Sequence, residues 1–178
     1  MSLPDRESAH LRIELVSQAR YLAGVRASMC AVAERLGFCP QDAAQIALAV
    51  DEAICNIIKH GYERREDGRI WISVWPIEEV KDDRYGVRIL LEDEGRQTVP
   101  SEIKSRPLNE IRPGGLGVHI IRKVMDVVEY SQRAERGMQL LLEKYGASPC
   151  AGRDGAAAEE CGCQSKKEES EETPEQGA

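Results

Sequence analysis

The segment Asp51-Glu-Ala-Ile-Cys-Asn-Ile-Ile-Lys-His-Gly61 places Glu52, Asn56 and His60 at four-residue intervals. On a helix, that spacing stacks the three side chains on one face, with Ala53, Ile54, Ile57 and Ile58 on or near the opposite one. The apolar stripe is what a helix needs in order to pack. A carboxylate, an amide and an imidazole in a row have no packing use. A carboxylate one turn from an amide oxygen suits a hard cation such as Mg²⁺, with a water or hydroxyl activated beside it. Taken alone, the same row is also what a solvated polar face looks like.

The second half of the chain adds two further features. Leu90-Leu-Glu-Asp-Glu-Gly95 reads as a strand running into an acidic turn. Arg112-Pro-Gly-Gly-Leu-Gly117 precedes a run with Val118, Ile120, Ile121, Val124 and Met125 at helical spacing. Glycines just before a helix let the backbone approach a ligand and leave free amides aimed at it, an arrangement suited to phosphates. The pattern is neither Gly-x-Gly-x-x-Gly nor Gly-x-x-x-x-Gly-Lys-Ser/Thr, so neither a dinucleotide fingerprint nor a P-loop is indicated.

Around these features the chain reads as one domain. His10 to Val16 alternates as a strand, and Leu22 to Leu36 recurs at helical spacing before Gly37. Pro40 opens a second helix that runs to Gly61. Ile70 to Trp75 and Gly86 to Leu91 form a hairpin around Asp82-Asp83. Arg96 to Pro113 is a mobile loop, a third helix covers Leu116 to Met125, and Val127 to Gln132 pairs with Met138 to Tyr145 around Gly137. This order gives an α/β (α+β) two-layer sandwich: a mixed, mostly antiparallel sheet with helices on one face. The folded domain spans residues 1–146. Residues 147–178 lose their large apolar side chains and are expected to be a disordered acidic tail.

Composition excludes several classes. The net charge of −7 argues against direct nucleic-acid binding. Most of that charge lies in the tail, where Asp154 and seven glutamates outnumber Arg153, Lys166 and Lys167. No apolar run approaches a membrane span, and the polar N-terminus lacks a signal peptide's apolar core, so a cytoplasmic protein is expected. Among six cysteines, Cys161-x-Cys163 lacks zinc-site spacing, and Cys30, Cys39, Cys55 and Cys150 are expected as reduced thiols.

In order, Glu52-x-x-x-Asn56-x-x-x-His60-Gly61, Asp93-x-Gly95 and Gly114-Gly-Leu-Gly117 resemble the ATP-binding signature of the GHKL family, the Bergerat fold. Asp-Glu-Ala-x-x-Asn-x-x-x-His-Gly-Tyr, Pro-Gly-Gly-Leu-Gly and Met125-Asp-x-Val-x-Tyr130 look closest to the anti-sigma-factor serine kinases of bacterial partner switching. The resemblance covers roughly residues 10 to 145. It implies ATP and Mg²⁺ as cofactors, with Asn56 holding the metal and Glu52 as the general base that takes a proton from a serine hydroxyl. Asp93 would accept the adenine amino group, and Gly95 would let the backbone pass the base. Gly114, Gly115, Leu116, Gly117 and Val118 would receive the phosphates beneath a lid formed by Arg96–Pro113. Lys59 and His60 join the nucleotide contacts, with His60 closing the helix end or packing near the phosphates rather than catalysing.

The resemblance also implies partners: ATP or ADP, a sigma factor, a STAS-domain anti-anti-sigma protein phosphorylated on Ser or Thr, and a second copy in a homodimer. The alternative is a non-catalytic, ATP-dependent binding protein of the same fold. A histidine kinase core is a weaker reading, because no helical hairpin with a phosphoacceptor histidine is seen. Two positions depart from the family pattern: Gln97 stands where the second glycine of Asp-x-Gly-x-Gly is usual, and Met138 follows Gly137 where Thr or Ser is usual. Both are expected to weaken ATP binding and to leave the metal and phosphate sites intact.

Overall fold

Leu11, Ile13 and Leu15 turn inward while Arg12, Glu14 and Val16 are exposed, and this period of two builds the first strand, β1 (Leu11–Val16). The computed structural model describes residues 6–79, 84–103 and 116–146. The Asp82-Asp83 loop, most of the expected lid, Gly114, Gly115, Cys150, Cys161, Cys163 and the tail lie outside the described residues.

Helix α1 (Leu22–Arg35) buries Leu22, Val25, Met29 and Ala33, one side chain per turn, and ends before Gly37 at φ 104°. Helix α2 (Pro40–Asn56) has Pro40 in its first turn, and the Cys39 sulfur accepts the Asp42 amide at 3.5 Å. Its buried face mixes Ala43, Ala47, Ala49 and Ala53 with Ile46, Val50 and Ile54, so the helix lies close to its neighbours. The expected helix to Gly61 is continuous but not uniform. Ile57–Gly61 widens into a π-turn, closed by the Tyr62 amide donating to the Ile57 carbonyl at 2.9 Å.

Strands β2 (Arg69–Glu79) and β3 (Arg84–Asp93) follow, then helix α3 (Gly117–Val124) and strands β4 (Val127–Gln132) and β5 (Met138–Gly146). The sheet order is β1-β2-β3-β5-β4, and every pairing among the described residues is antiparallel. Ile70, Ile72, Val74, Val87, Ile89, Leu91, Leu140 and Leu142 face the helices in one core. This is the two-layer arrangement that the patterning predicts.

The opposite face carries what patterning did not foresee. Trp75, Leu90 and Leu141 form a smaller cluster with Ala9, and the Trp75 indole donates to Ser8 Oγ at 3.1 Å. Two carboxylates are buried on this face. Glu143 accepts from Arg88 Nε at 2.5 Å and from the Tyr145 hydroxyl at 2.6 Å. Glu92 is paired with Arg6 and, at 3.8 Å, with Arg133, yet burial still pushes its carboxyl above the ordinary range. Among the described residues Cys30, Cys39 and Cys55 form no disulfide, and no helix is long and apolar enough to cross a membrane.

Candidate functional site

Helix α2 presents Glu52 and Asn56 toward the start of α3. A Cβ added at Gly117 would lie 2.6 Å from Glu52 Oε2, 3.2 Å from Asn56 Nδ2 and 3.4 Å from Asn56 Oδ1. The α3 backbone therefore passes directly over the carboxylate and the amide, and a side chain at residue 117 would push the Glu52 carboxylate aside. The Asn56 Nδ2 is buried without a hydrogen-bond partner. A buried amide left unsatisfied costs about 1–3 kcal/mol, so this gap is built for something polar. Asp51, next in sequence to Glu52, points elsewhere: its Oδ2 lies 3.6 Å from Arg26 Nη1 on α1. The two neighbouring carboxylates thus serve different surroundings.

The donor set at the gap fits Mg²⁺. An amide and a nearby carboxylate are hard ligands, and Mg²⁺ takes one or two protein oxygens and fills the rest of its shell with water and phosphate. Among the described residues no group of three or more His, Cys, Asp or Glu side chains gathers to hold a metal.

Asp93 ends β3 at the other side of the site and is 2% exposed. Its Oδ1 accepts the Gly95 amide at 2.7 Å and the Met138 amide at 3.4 Å. Oδ2 has no hydrogen bond among the described residues. Burial pushes the Asp93 carboxyl above its ordinary range, against the lowering effect of those amides and of Arg133. The pocket around it is made of backbone. The position of a Gly61 Cβ is 3.6 Å from Asp93 Oδ1, and that of a Gly95 Cβ is 2.5 Å from the Gly61 carbonyl oxygen. Gly137, at φ +83°, lies so close that a Cβ there would meet the Asp93 carbonyl oxygen at 1.9 Å. Asp93 is thus a recessed carboxylate closely walled by glycines.

Gln97 and Met138, the two departures from the family pattern, take structural roles. Gln97 Nε2 donates to the Arg133 carbonyl at 2.7 Å, and Gln132 Nε2 donates to the Thr98 carbonyl at 3.3 Å. The Thr98 amide meets the Met138 sulfur at 3.5 Å. The root of the loop after Asp93 is thereby tied to the β4–β5 hairpin. Further along, Arg122 Nη2 of α3 donates to the Ile103 carbonyl at 3.2 Å.

The structure brings together Glu52, Asn56 and Gly117 at one end, and Asp93 and Gly95 at the other. Lys59 and His60 are exposed on the π-turn that ends the helix carrying Glu52 and Asn56. Leu116 is exposed at the cap of α3, and Val118 is half-buried one residue beyond Gly117. Sequence reasoning gave no role to Tyr62, quoted only as the end of the His-Gly-Tyr motif, nor to Arg133 or the contact of Gly137 with Asp93. Only Tyr62 had a visible signal, its place directly after His60-Gly61.

Residues 15–144 match the family model described as a histidine kinase-like ATPase domain. The serine-protein kinase RsbW of Bacillus thuringiensis (strain Al Hakam) is 30% identical over 138 residues, spanning 76% of this chain and 84% of that protein. RsbW of Bacillus mycoides (strain KBAB4) is 29% identical over 143 residues, with the same coverage. Among solved structures, the Erythrobacter litoralis EL346 blue-light activated histidine kinase aligns at 18% identity with a TM-score of 0.38, over 76% of this chain and 42% of that one. With its motifs, antiparallel sandwich and matched span, this chain belongs to the histidine kinase-like ATPase (GHKL) family, in the group of the anti-sigma-factor serine kinases.

Proposed function

We propose that this chain is an ATP-dependent protein serine/threonine kinase that sequesters a sigma factor and phosphorylates a STAS-domain anti-anti-sigma protein. The observation that carries the proposal is the contact of Gly117 with Glu52 and Asn56, which puts a helix N-terminus, a carboxylate and an unpartnered amide around one gap. The names of the RsbW relatives supply the reaction class. ATP lies with its adenine on Asp93 and its phosphates at the start of α3, whose backbone amides face anionic charge. Lys59, His60, Leu116 and Val118 border that cradle; Gly114 and Gly115, outside the described residues, are assigned to it by the family resemblance alone. Asn56 would hold Mg²⁺, which when bound would neutralise charge on the phosphates.

Glu52 orients the attacking hydroxyl and accepts its proton. The serine oxygen forms a bond to the γ-phosphorus, the bond to the bridging oxygen breaks, and ADP leaves with that electron pair. Phosphoryl transfer depends mainly on positioning and charge stabilisation, so one carboxylate at this place suffices. The protein acts in the bacterial cytoplasm as a homodimer, and the tail from residue 147 onward is separate from the kinase domain.

Incubation with labelled ATP and a candidate STAS protein tests the proposal. Phosphate should appear on a serine or threonine, and Glu52→Gln should lower the rate by roughly 10²–10⁴-fold while ATP affinity is kept. ATP binding without transfer to any STAS protein would favour the non-catalytic binder. No binding of ATP at millimolar concentration would end the nucleotide reading altogether.

A further inference from the structure

We infer that Tyr62 is a positioning residue that sets the geometry of the Asp93 end of the site from the end of the helix carrying Glu52 and Asn56. The inference rests on the nucleotide reading above and deepens it. Tyr62 is 2% exposed. Its hydroxyl donates to the Arg69 carbonyl at the start of β2 and accepts the Glu94 amide at 2.8 Å. Immediately before it, the Gly61 carbonyl accepts the Arg96 amide at 2.8 Å. Residues 61 and 62 therefore hold the 94–96 turn by two bonds, one on each side of Gly95. The Gly95 amide is in turn the closest donor to Asp93 Oδ1, at 2.7 Å.

The ring that delivers the hydroxyl is itself fixed. Gly68 backs onto it so closely that a Cβ there would lie 2.3 Å from Tyr62 Cε1, and the Arg65 guanidinium stands 6.0 Å from the ring centre. Ser17 holds that loop by accepting the Gly68 amide at 3.0 Å and donating to the Arg65 carbonyl at 2.6 Å. The π-turn supplies the remaining constraint, because its closing bond comes from the Tyr62 amide. A tyrosine anchored to α2 thus fixes the turn that aims the adenine-reading carboxylate. Base recognition and the Glu52–Asn56 gap are held in one frame, and the Tyr62 hydroxyl is the joint.

The test compares Tyr62→Phe with the parent for binding of Mg²⁺-ATP, Mg²⁺-GTP and Mg²⁺-tripolyphosphate, which has phosphates but no base. Losing one hydrogen bond that orders the turn should weaken ATP roughly five- to tenfold. Tripolyphosphate and GTP should be unchanged, so the preference for ATP over GTP falls by the same factor. In the kinase assay, KM for ATP should rise and kcat should stay. Equal affinities in a folded variant, or equal losses for all three ligands, would overturn the role. A second measurement uses the unaltered chain: the Glu94 and Arg96 amides should be protected from hydrogen exchange and gain protection together on adding ATP. Free exchange at Glu94 in the ATP complex would overturn the inference even if Tyr62→Phe failed to fold. A parent that bound tripolyphosphate but not ATP would remove the base-reading step and this inference with it. One that bound neither would instead overturn the proposed function.

Discussion

Replacing Asp93 with Asn separates what this carboxylate does for the fold from what it does for the ligand. The side chain is 2% exposed and keeps Oδ1 on the Gly95 and Met138 amides. An amide oxygen can take both bonds, which leaves Nδ2 in the place of the unengaged oxygen. Adenine's amino group would then meet a donor instead of a charged acceptor. Hydrogen bonds to charged groups contribute about 1.5–3 kcal/mol, so ATP affinity should fall by roughly 10²-fold, with Mg²⁺-tripolyphosphate binding unaltered.

Without ligand, stability should move the other way. Burial, the largest influence, raises the Asp93 carboxyl above its unfolded value of about 3.9. A raised folded value means that protonation stabilises the fold fully below the unfolded value, and that this contribution is lost as pH rises through the folded one. Asp93→Asn does not titrate. Its stability relative to the parent should therefore improve between about pH 4 and about pH 8, and part of that change passes through Glu92, whose carboxyl the Asp93 charge helps to raise. Urea denaturation of both proteins at the two pH values, with calorimetry for the ligands, reads both halves. A stability difference independent of pH, or parental ATP affinity in the variant, would refute the reasoning.

Gly117→Ala should fold with nearly the parental melting temperature, since the atom it meets at 2.6 Å is the tip of the flexible Glu52 side chain; displacing that carboxylate should lower phosphoryl transfer far more than nucleotide affinity, seen by comparing kcat with Kd. Gly137→Ala should be strongly destabilising, because its new Cβ meets the Asp93 backbone on top of a left-handed conformation that alone costs about 1–2 kcal/mol. Gly24→Ala, with nothing within 4 Å and a place inside α1, should instead raise stability by about 0.5–1 kcal/mol in the same denaturant assay. A chain ended at Ala147 should retain its melting temperature and ATP affinity, since β5 closes the sheet at Gly146; a change in either would give the tail and its cysteines a part in the domain.

Periodicity was enough to read most of the fold. Every strand and helix of the sandwich follows from apolar residues at spacing two or near 3.6, because burying one face is a local demand that each segment meets by itself. Glu52, Asn56, Asp93 and Gly117 were legible for a related reason: helix spacing, a strand end and a glycine at a helix start each assign a residue type locally. The π-turn was not legible, since no pattern of side chains distinguishes its wider closure from one more α-helical turn. Gln97 and Met138, which look like losses when read along the chain, become ties between a loop and a hairpin 36 and 40 residues away. Tyr62 reaches Glu94, and Gly137 touches Asp93, across similar distances in the chain. Those contacts belong to no single segment. They exist only once β2, β3 and β5 are in register and α2 is laid against them, and tertiary packing alone determines that arrangement.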